Sequence, residues 1–145
     1  MDVKVMSGLE FLKAMQKAGN RPPMAETMNV DIDCIEDGLV RFKCMPTNDH
    51  LNPGGTVHGG YAATALDSVL SLAVQTKLKD AFSFRGTSEL NVKFIRPIRV
   101  GQVLYAEGRV VSMTRQTGIS AGEILDEDGK IYAYASGTVM IKPES

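Results

Sequence analysis

A chain of 145 residues, 43% of them hydrophobic and 23% charged, can bury roughly two thirds of its unfolded surface in one core, so one domain over residues 1–145 is expected. Its formal net charge of -1 gives no general attraction for nucleic acid or an anionic membrane, and no stretch approaches the roughly 20 apolar residues of a membrane span. Met1-Asp2-Val3-Lys4 opens no apolar run suited to a secretory leader, so a cytoplasmic protein is expected.

Ser7 to Ala18 reads as a short packing helix, with Leu9, Phe11, Leu12 and Met15 at helical spacing, a serine fit to cap it and Gly19-Asn20-Arg21-Pro22-Pro23 to end it. Met28 to Cys44 alternates apolar and polar residues around the turn signal Glu36-Asp37-Gly38 and predicts a hairpin. Cys34 and Cys44 fall in its two halves without a Cys-x-x-Cys spacing or a nearby ligand cluster, which predicts buried, reduced thiols and no metal site. A helix from about Val57 to Lys77 follows, apolar around nearly its full circumference and therefore buried. Leu90, Val92 and Phe94 then alternate with polar neighbours before Arg96-Pro97, and strands follow at about Gln102 to Met113, Gly118 to Leu125 and, after the turn Glu127-Asp128-Gly129-Lys130, Ile131 to Ile141. The class is α+β: two strands, one buried helix, then a three- or four-stranded antiparallel meander curling round it. The outer face and edges of such a sheet need a partner or a polar coating, so an oligomer is expected.

The chemistry concentrates in Asn52-Pro53-Gly54-Gly55-Thr56-Val57-His58-Gly59-Gly60 and in Asp67, the one carboxylate of the helix that this loop feeds. A glycine-rich entry leaves the first amide groups of a helix unshielded, and those groups, with the helix dipole behind them, favour negative charge developing on a ligand oxygen. Gly59 is the candidate to present its N–H to a carbonyl oxygen, with Gly60 beside it or, on the plainer reading, with both merely permitting close packing. Asp67 is a candidate nucleophile or general base, the plainer reading being a hydrogen-bonded structural acid at an interface. His58 would orient or polarise a carbonyl, or hold the loop. His58 and Asp67 stand nine positions apart, about 900° of rotation and roughly 13 to 14 Å of rise on one helix, so they cannot meet within one chain. A carboxylate acting on a carbonyl held at the helix tip must then come from a second subunit. His50 reads as a surface residue.

This order of elements, with Asn52, His58-Gly59-Gly60, Asp67 and Thr87-Ser88-Glu89-Leu90-Asn91-Val92-Lys93-Phe94-Ile95-Arg96-Pro97, resembles the hotdog-fold acyl-CoA thioesterases of the phenylacetate-degradation (PaaI) type over about residues 28 to 142. The resemblance implies a long central helix wrapped by a curved antiparallel sheet. It also implies a homodimer with one continuous sheet, often paired again into a tetramer, and hydrolysis of an acyl-CoA to free acid and coenzyme A without metal or redox cofactor. It places the Asn52 side chain near the thioester, where the residue could equally be an Asn-Pro turn initiator. It makes Thr87 the residue that orders the attacking water. Strand alternation puts Ser88, not Thr87, on the face of Leu90, Val92 and Phe94 unless the strand bulges near Gly86, so Ser88 is the substitute.

Coenzyme A would bring phosphates, for which Arg96, Arg99 and Arg115 are candidate partners, though arginines beside strands also serve as solvated rims. Tyr61 and Leu66 would line part of an acyl pocket between the helix and partner strands. The expected substrate is a small or medium acyl-CoA, with an aromatic acyl group among the options. Two rivals stand beside hydrolysis. A hotdog hydratase or dehydratase would need an imidazole set as proton-transfer base, and a noncatalytic acyl-CoA-binding protein would have no use for a carboxylate in a costly buried position.

Overall fold

In the computed structural model, which describes residues 5–143, Ser7 caps helix α1 (Gly8–Ala18) by accepting from the Glu10 amide, and Gly19 closes it in the left-handed region at φ 69°. Met1 to Lys4, read above as no secretory leader, lie outside the described residues. The Pro22-Pro23 pair does more than stop α1: Pro23 opens a second short helix, α2 (Pro23–Met28), because proline at a first helical position gives up no needed hydrogen bond. Met28 therefore ends a helix and is not the first residue of the hairpin.

Six strands follow: β1 (Val30–Glu36), β2 (Leu39–Cys44), β3 (Phe84–Phe94), β4 (Leu104–Met113), β5 (Thr117–Leu125) and β6 (Ile131–Ile141). They form one antiparallel sheet in the order β1-β2-β4-β5-β6-β3. The expected meander thus comprises β4, β5 and β6, and β3 crosses to the far edge to pair with β6. Between β2 and β3 runs α3 (Gly59–Gln75), two residues shorter at each end than the apolar run suggested. Its Ala62, Leu66, Val69, Leu70, Ala73 and Val74 are buried against the sheet. The approach is close. A Cβ on Gly108 of β4 would stand 2.4 Å from the Val69 carbonyl oxygen, so only glycine allows the helix backbone to lie on that strand. The buried Ser120 hydroxyl finds a partner there too, donating to the Leu70 carbonyl at 2.9 Å.

Two readings of burial change. The helix is not apolar all round: Thr64, Ser68 and Ser71 are half-buried on the face turned away from the sheet. Cys34 is also only half-buried, because a bulge at Asp33 shifts the register between Ile32 and Cys34 and hands the inward position to Ile35. Cys44 is fully buried, as expected, and burial pushes its thiol up to about 12.

Candidate active site

The loop before α3 is built on hydrogen bonds that its sequence supplies. Asn52 Oδ1 accepts from the amides of Gly54 and Thr56 at 3.0 and 3.2 Å, and its Nδ2 donates to Thr56 Oγ1 at 2.8 Å. Most of that side chain's capacity is spent inside the loop, leaving one amide hydrogen for anything else. His50 is no bystander on the surface. It is half-buried, with Nδ1 accepting from the Thr47 amide at 2.9 Å, Nε2 2.7 Å from the Thr27 carbonyl oxygen, and its ring centroid 4.8 Å from that of Tyr61. Its own carbonyl accepts from the His58 amide at 2.7 Å, so His50 is the post on which the helix entry hangs.

His58 caps α3. Its Nδ1 accepts from the Gly60 amide at 2.7 Å, which fixes the neutral ring with its hydrogen on Nε2, and its carbonyl accepts from Tyr61 at 2.9 Å. The Gly59 amide, at the first helical position, has no acceptor among the described residues. It is the first-turn donor left free for a ligand. The Phe94 ring lies across it, 60% exposed, with Cε1 3.1 Å from where a Gly59 Cβ would be. A cavity of about 300 Å³ opens here, bounded by Val57, Gly59, Phe94, Arg96, Ile98 and Tyr132. Tyr132 is steadied in its wall by Gln102, which donates to the tyrosine oxygen at 3.0 Å, while the tyrosine hydroxyl donates to Asp126 at 3.4 Å. Phe94 and Tyr132 escaped the sequence reading because strand alternation assigns Phe94 to the core; the available signal was its place at the strand's end, one residue before Ile95-Arg96-Pro97.

Asp67 lies half-buried in the middle of α3 and accepts from Thr87 Oγ1 at 2.6 Å, a short charge-assisted bond. The strand achieves this by bulging on both sides of Thr87: register shifts fall between Phe84 and Gly86 and between Thr87 and Glu89. The second leaves Ser88 unpaired and brings Thr87 onto the face of Leu90 and Val92. Gly86, at φ 116°, takes a conformation that L side chains rarely adopt. Ser88 turns outward, its hydroxyl 3.3 Å from the Thr138 carbonyl it donates to.

The structure therefore makes two half-sites, one of Gly59, His58, Phe94 and Arg96 and one of Asp67 and Thr87. Arg99 is exposed on the connection after Arg96, where its amide donates to Gln102 at 2.8 Å. Arg115 is exposed in the β4–β5 turn, at the other end of the sheet: Thr117 pairs with Met140, which pairs with Gly86, so it belongs to the Thr87 end. Tyr61 and Leu66 line neither half. Both are core residues, 4% and 0% exposed, because their positions on α3 face the sheet and the hairpin. The Tyr61 hydroxyl lies against Cys44 without a hydrogen-bond partner among the described residues, and burial makes it a weaker acid, its pKa above the usual phenol range.

A single long helix embraced by a six-stranded antiparallel sheet, with a free amide at its tip and a carboxylate at its middle, defines a hotdog-fold protein. A family model for the thioesterase superfamily matches residues 54–133, more than half of the chain, and the chain belongs to that superfamily. A provisionally named esterase of Caenorhabditis elegans is 33% identical over 97 residues, which cover 66% of this chain but only 56% of that protein. The Escherichia coli acyl-coenzyme A thioesterase PaaI is 26% identical over 113 residues, 78% of either chain. Among solved structures, a provisionally named thioesterase of Ralstonia eutropha JMP134, described as related to phenylacetic acid degradation, superposes with a TM-score of 0.79 at 30% identity, over 90% of this chain and 99% of that one. The likeness to PaaI-type proteins seen in the motifs extends to the whole fold.

Proposed function

We propose that this protein is an acyl-CoA thioesterase whose site is completed by two copies of the chain. One observation carries the reading: the free Gly59 amide and Asp67, whose carboxylate Thr87 of β3 engages, sit on the same helix, eight residues apart. That is about 12 Å along the axis, too far for a carbonyl held by one to be attacked with the help of the other. A second copy supplies the missing half. β3 is an outer strand of the sheet, 11 residues long, and offers an unpaired backbone edge. If two β3 strands pair antiparallel about a point between Leu90 and Asn91, the partner's Phe94 comes opposite Thr87. The Gly59 tip that this ring covers then comes within reach of Asp67.

In the joined site the thioester oxygen accepts from the Gly59 N–H. That donor, with the helix dipole behind it, stabilises the oxyanion that forms as the carbonyl carbon becomes tetrahedral, an effect worth roughly 3 to 4 kcal/mol. Thr87 occupies Asp67 Oδ1, leaving Oδ2 to take a proton from the attacking water. Water oxygen bonds to the carbonyl carbon, the carbon–sulfur bond breaks, and the leaving thiolate takes up the proton that Asp67 gives back, departing as coenzyme A. By engaging Gly60, His58 keeps the first turn open while Gly59 stays free, and Asn52 holds the loop and has one amide hydrogen for the substrate. Arg96 on the cavity wall, Arg99 beyond it and the partner's Arg115 are placed to meet the phosphates.

Free-thiol release from a panel of acyl-CoAs tests the activity, and subunit mixing tests the architecture. Asp67→Asn should abolish turnover. Gly59→Pro should also abolish it, since proline at this first helical position deletes the N–H while the extended His58, at ψ 139°, already suits a following proline. Refolding the two inactive variants together should restore activity, because each mixed dimer holds one intact pair. Continued inactivity of well-formed mixed dimers would refute the shared site, and a wild type without turnover on any member of the panel would refute the thioesterase.

A further inference from the structure

A second, larger cavity of about 430 Å³ lies on the opposite face of α3 from the sheet, between that helix, the start of the hairpin and the N-terminal helices α1 and α2. Its walls are mainly carbon: Leu12 and Met15 of α1, Met28 of α2, Phe42 of β2, Ala65 and Leu72 of α3. Its outer wall is firmly seated. The Gly8 amide donates to the Leu78 carbonyl at 2.9 Å, a Cβ on Gly8 would stand 1.6 Å from the Gln75 carbonyl oxygen, and Phe11 packs edge-on against Phe82. α1 is thus a fixed side of the cleft.

The cleft passes beside Asp67. Thr64, Ser68 and Ser71 line it, and they stand three before, one after and four after Asp67 on the helix, so Thr64 and Ser71 are the neighbours of Asp67 on its own face. Two of these hydroxyls are folded back onto the helix, Thr64 donating to the Gly60 carbonyl at 2.8 Å and Ser71 to the Ser68 carbonyl at 3.1 Å. What they present to the cleft is carbon. From Thr64 to Gln75 the cleft follows roughly 16 Å of helix, and another part of its lining is polar: Arg21, ion-paired with Glu26 at 3.6 Å and Asp31 at 3.4 Å.

Resting on the thioesterase reading, we propose that this cleft receives the acyl chain of the substrate and that the substrate is a straight-chain, medium-length aliphatic acyl-CoA. A long trough walled by methionines, whose unbranched side chains conform to a flexible guest, suits a polymethylene chain. A phenylacetyl group would leave most of it empty. The Arg21 cluster sets the limit, since a longer chain would have to lie against charges already paired with each other.

The test compares kcat/KM for acetyl-, butanoyl-, octanoyl- and phenylacetyl-CoA in wild type, Met15→Trp and Met15→Ala. In the wild type, kcat/KM should rise about threefold to fourfold per methylene from acetyl to octanoyl, and phenylacetyl-CoA should fall below octanoyl-CoA. Met15→Trp, which fills the trough, should lower the octanoyl-to-acetyl ratio tenfold or more, and Met15→Ala, which removes part of the wall, should lower it by a smaller factor. A preference for phenylacetyl-CoA, or a chain-length profile that Met15→Ala and a folded Met15→Trp leave unmoved, overturns the proposal while leaving hydrolysis intact. Direct binding separates the two ideas: calorimetric titration with octanoate, weakened by Met15→Trp, reports the cleft even if no thioester is turned over.

Discussion

Replacing Thr87 with valine removes one oxygen and keeps the shape of the side chain. The oxygen lost donates to Asp67 Oδ1 at 2.6 Å. Hydrogen bonds to charged groups contribute about 1.5 to 3 kcal/mol, and because Asp67 is only half-buried the lower part of that range applies, about 1.5 to 2 kcal/mol. If the bond aims the carboxylate in the transition state, the loss appears in the rate as a roughly tenfold to thirtyfold fall in kcat/KM. Thr87→Ser should restore most of it, since the serine hydroxyl can reach the same acceptor. The control is the neighbouring hydroxyl: Ser88 donates outward to the Thr138 carbonyl at 3.3 Å, so Ser88→Ala should change kcat/KM by less than about twofold. Thiol release measured on all three variants with one acyl-CoA decides the matter. A Ser88→Ala enzyme that loses activity while Thr87→Val keeps it would mean that the strand register in solution is the unbulged one, and the reasoning from β3 would fail.

Other expectations concern the scaffold. Gly108→Ala puts a Cβ 2.4 Å from the Val69 carbonyl oxygen and should cost more than about 3 kcal/mol in urea unfolding. Gly86→Ala meets nothing within 4 Å, so its cost is backbone strain at φ 116°, about 1 to 3 kcal/mol, and it should slow turnover as well by disturbing the bulge beside Thr87. Asn52→Ala removes three hydrogen bonds of the loop and should lower stability by about 1 to 3 kcal/mol in the same assay. With a disulfide reagent near pH 8, one thiol per chain should react in the folded protein and two after denaturation. The Cys44 thiol is pushed up to about 12 by burial, so it stays protonated until pH rises through that value. The half-exposed Cys34 thiol, raised by its own burial and then by Glu36, should react slowly.

The elements legible in the sequence were those with strong local signals. Ser7 and Gly19 bracket α1 as capping chemistry demands, the Glu36-Asp37-Gly38 turn joins β1 to β2, and the apolar run of α3 announces a buried helix. The motif from Asn52 to Asp67 was legible as chemistry because glycines at a helix entry and a lone carboxylate in an apolar helix both need explanation. What escaped were features set by tertiary pairing. No local pattern says that β3 joins β6 instead of β4, and a bulge is invisible to a period-two count, which is why Cys34 was placed inside and why Thr87 could be set first only on the condition of a bulge near Gly86. Tyr61 and Leu66 were expected to line a pocket between the helix and partner strands, but a helix turns 100° per residue, and neighbours of a site residue face the core as readily as the ligand. The Thr64, Ser68 and Ser71 stripe was legible at its i, i+4, i+7 spacing and was outweighed by the alanines and leucines around it.

The edge strand is where fold and chemistry are tied together. Had β3 kept perfect alternation, Thr87 would face out, Asp67 would lack its donor in the apolar helix, and a half-buried carboxylate would have to find water or a partner elsewhere. The unpaired residue at Ser88 solves both problems with one local change, turning a hydroxyl inward where the helix carries its acid. The same strand offers the sheet's free edge and ends at Phe94, over the Gly59 amide. A substitution that slips β3 by one residue against β6 would therefore move the Asp67 donor and the cover of the helix tip together. Loss of both half-sites from one register change, with the core of α3 still intact, is the behaviour expected of a site hung on an edge strand and not on the central sheet.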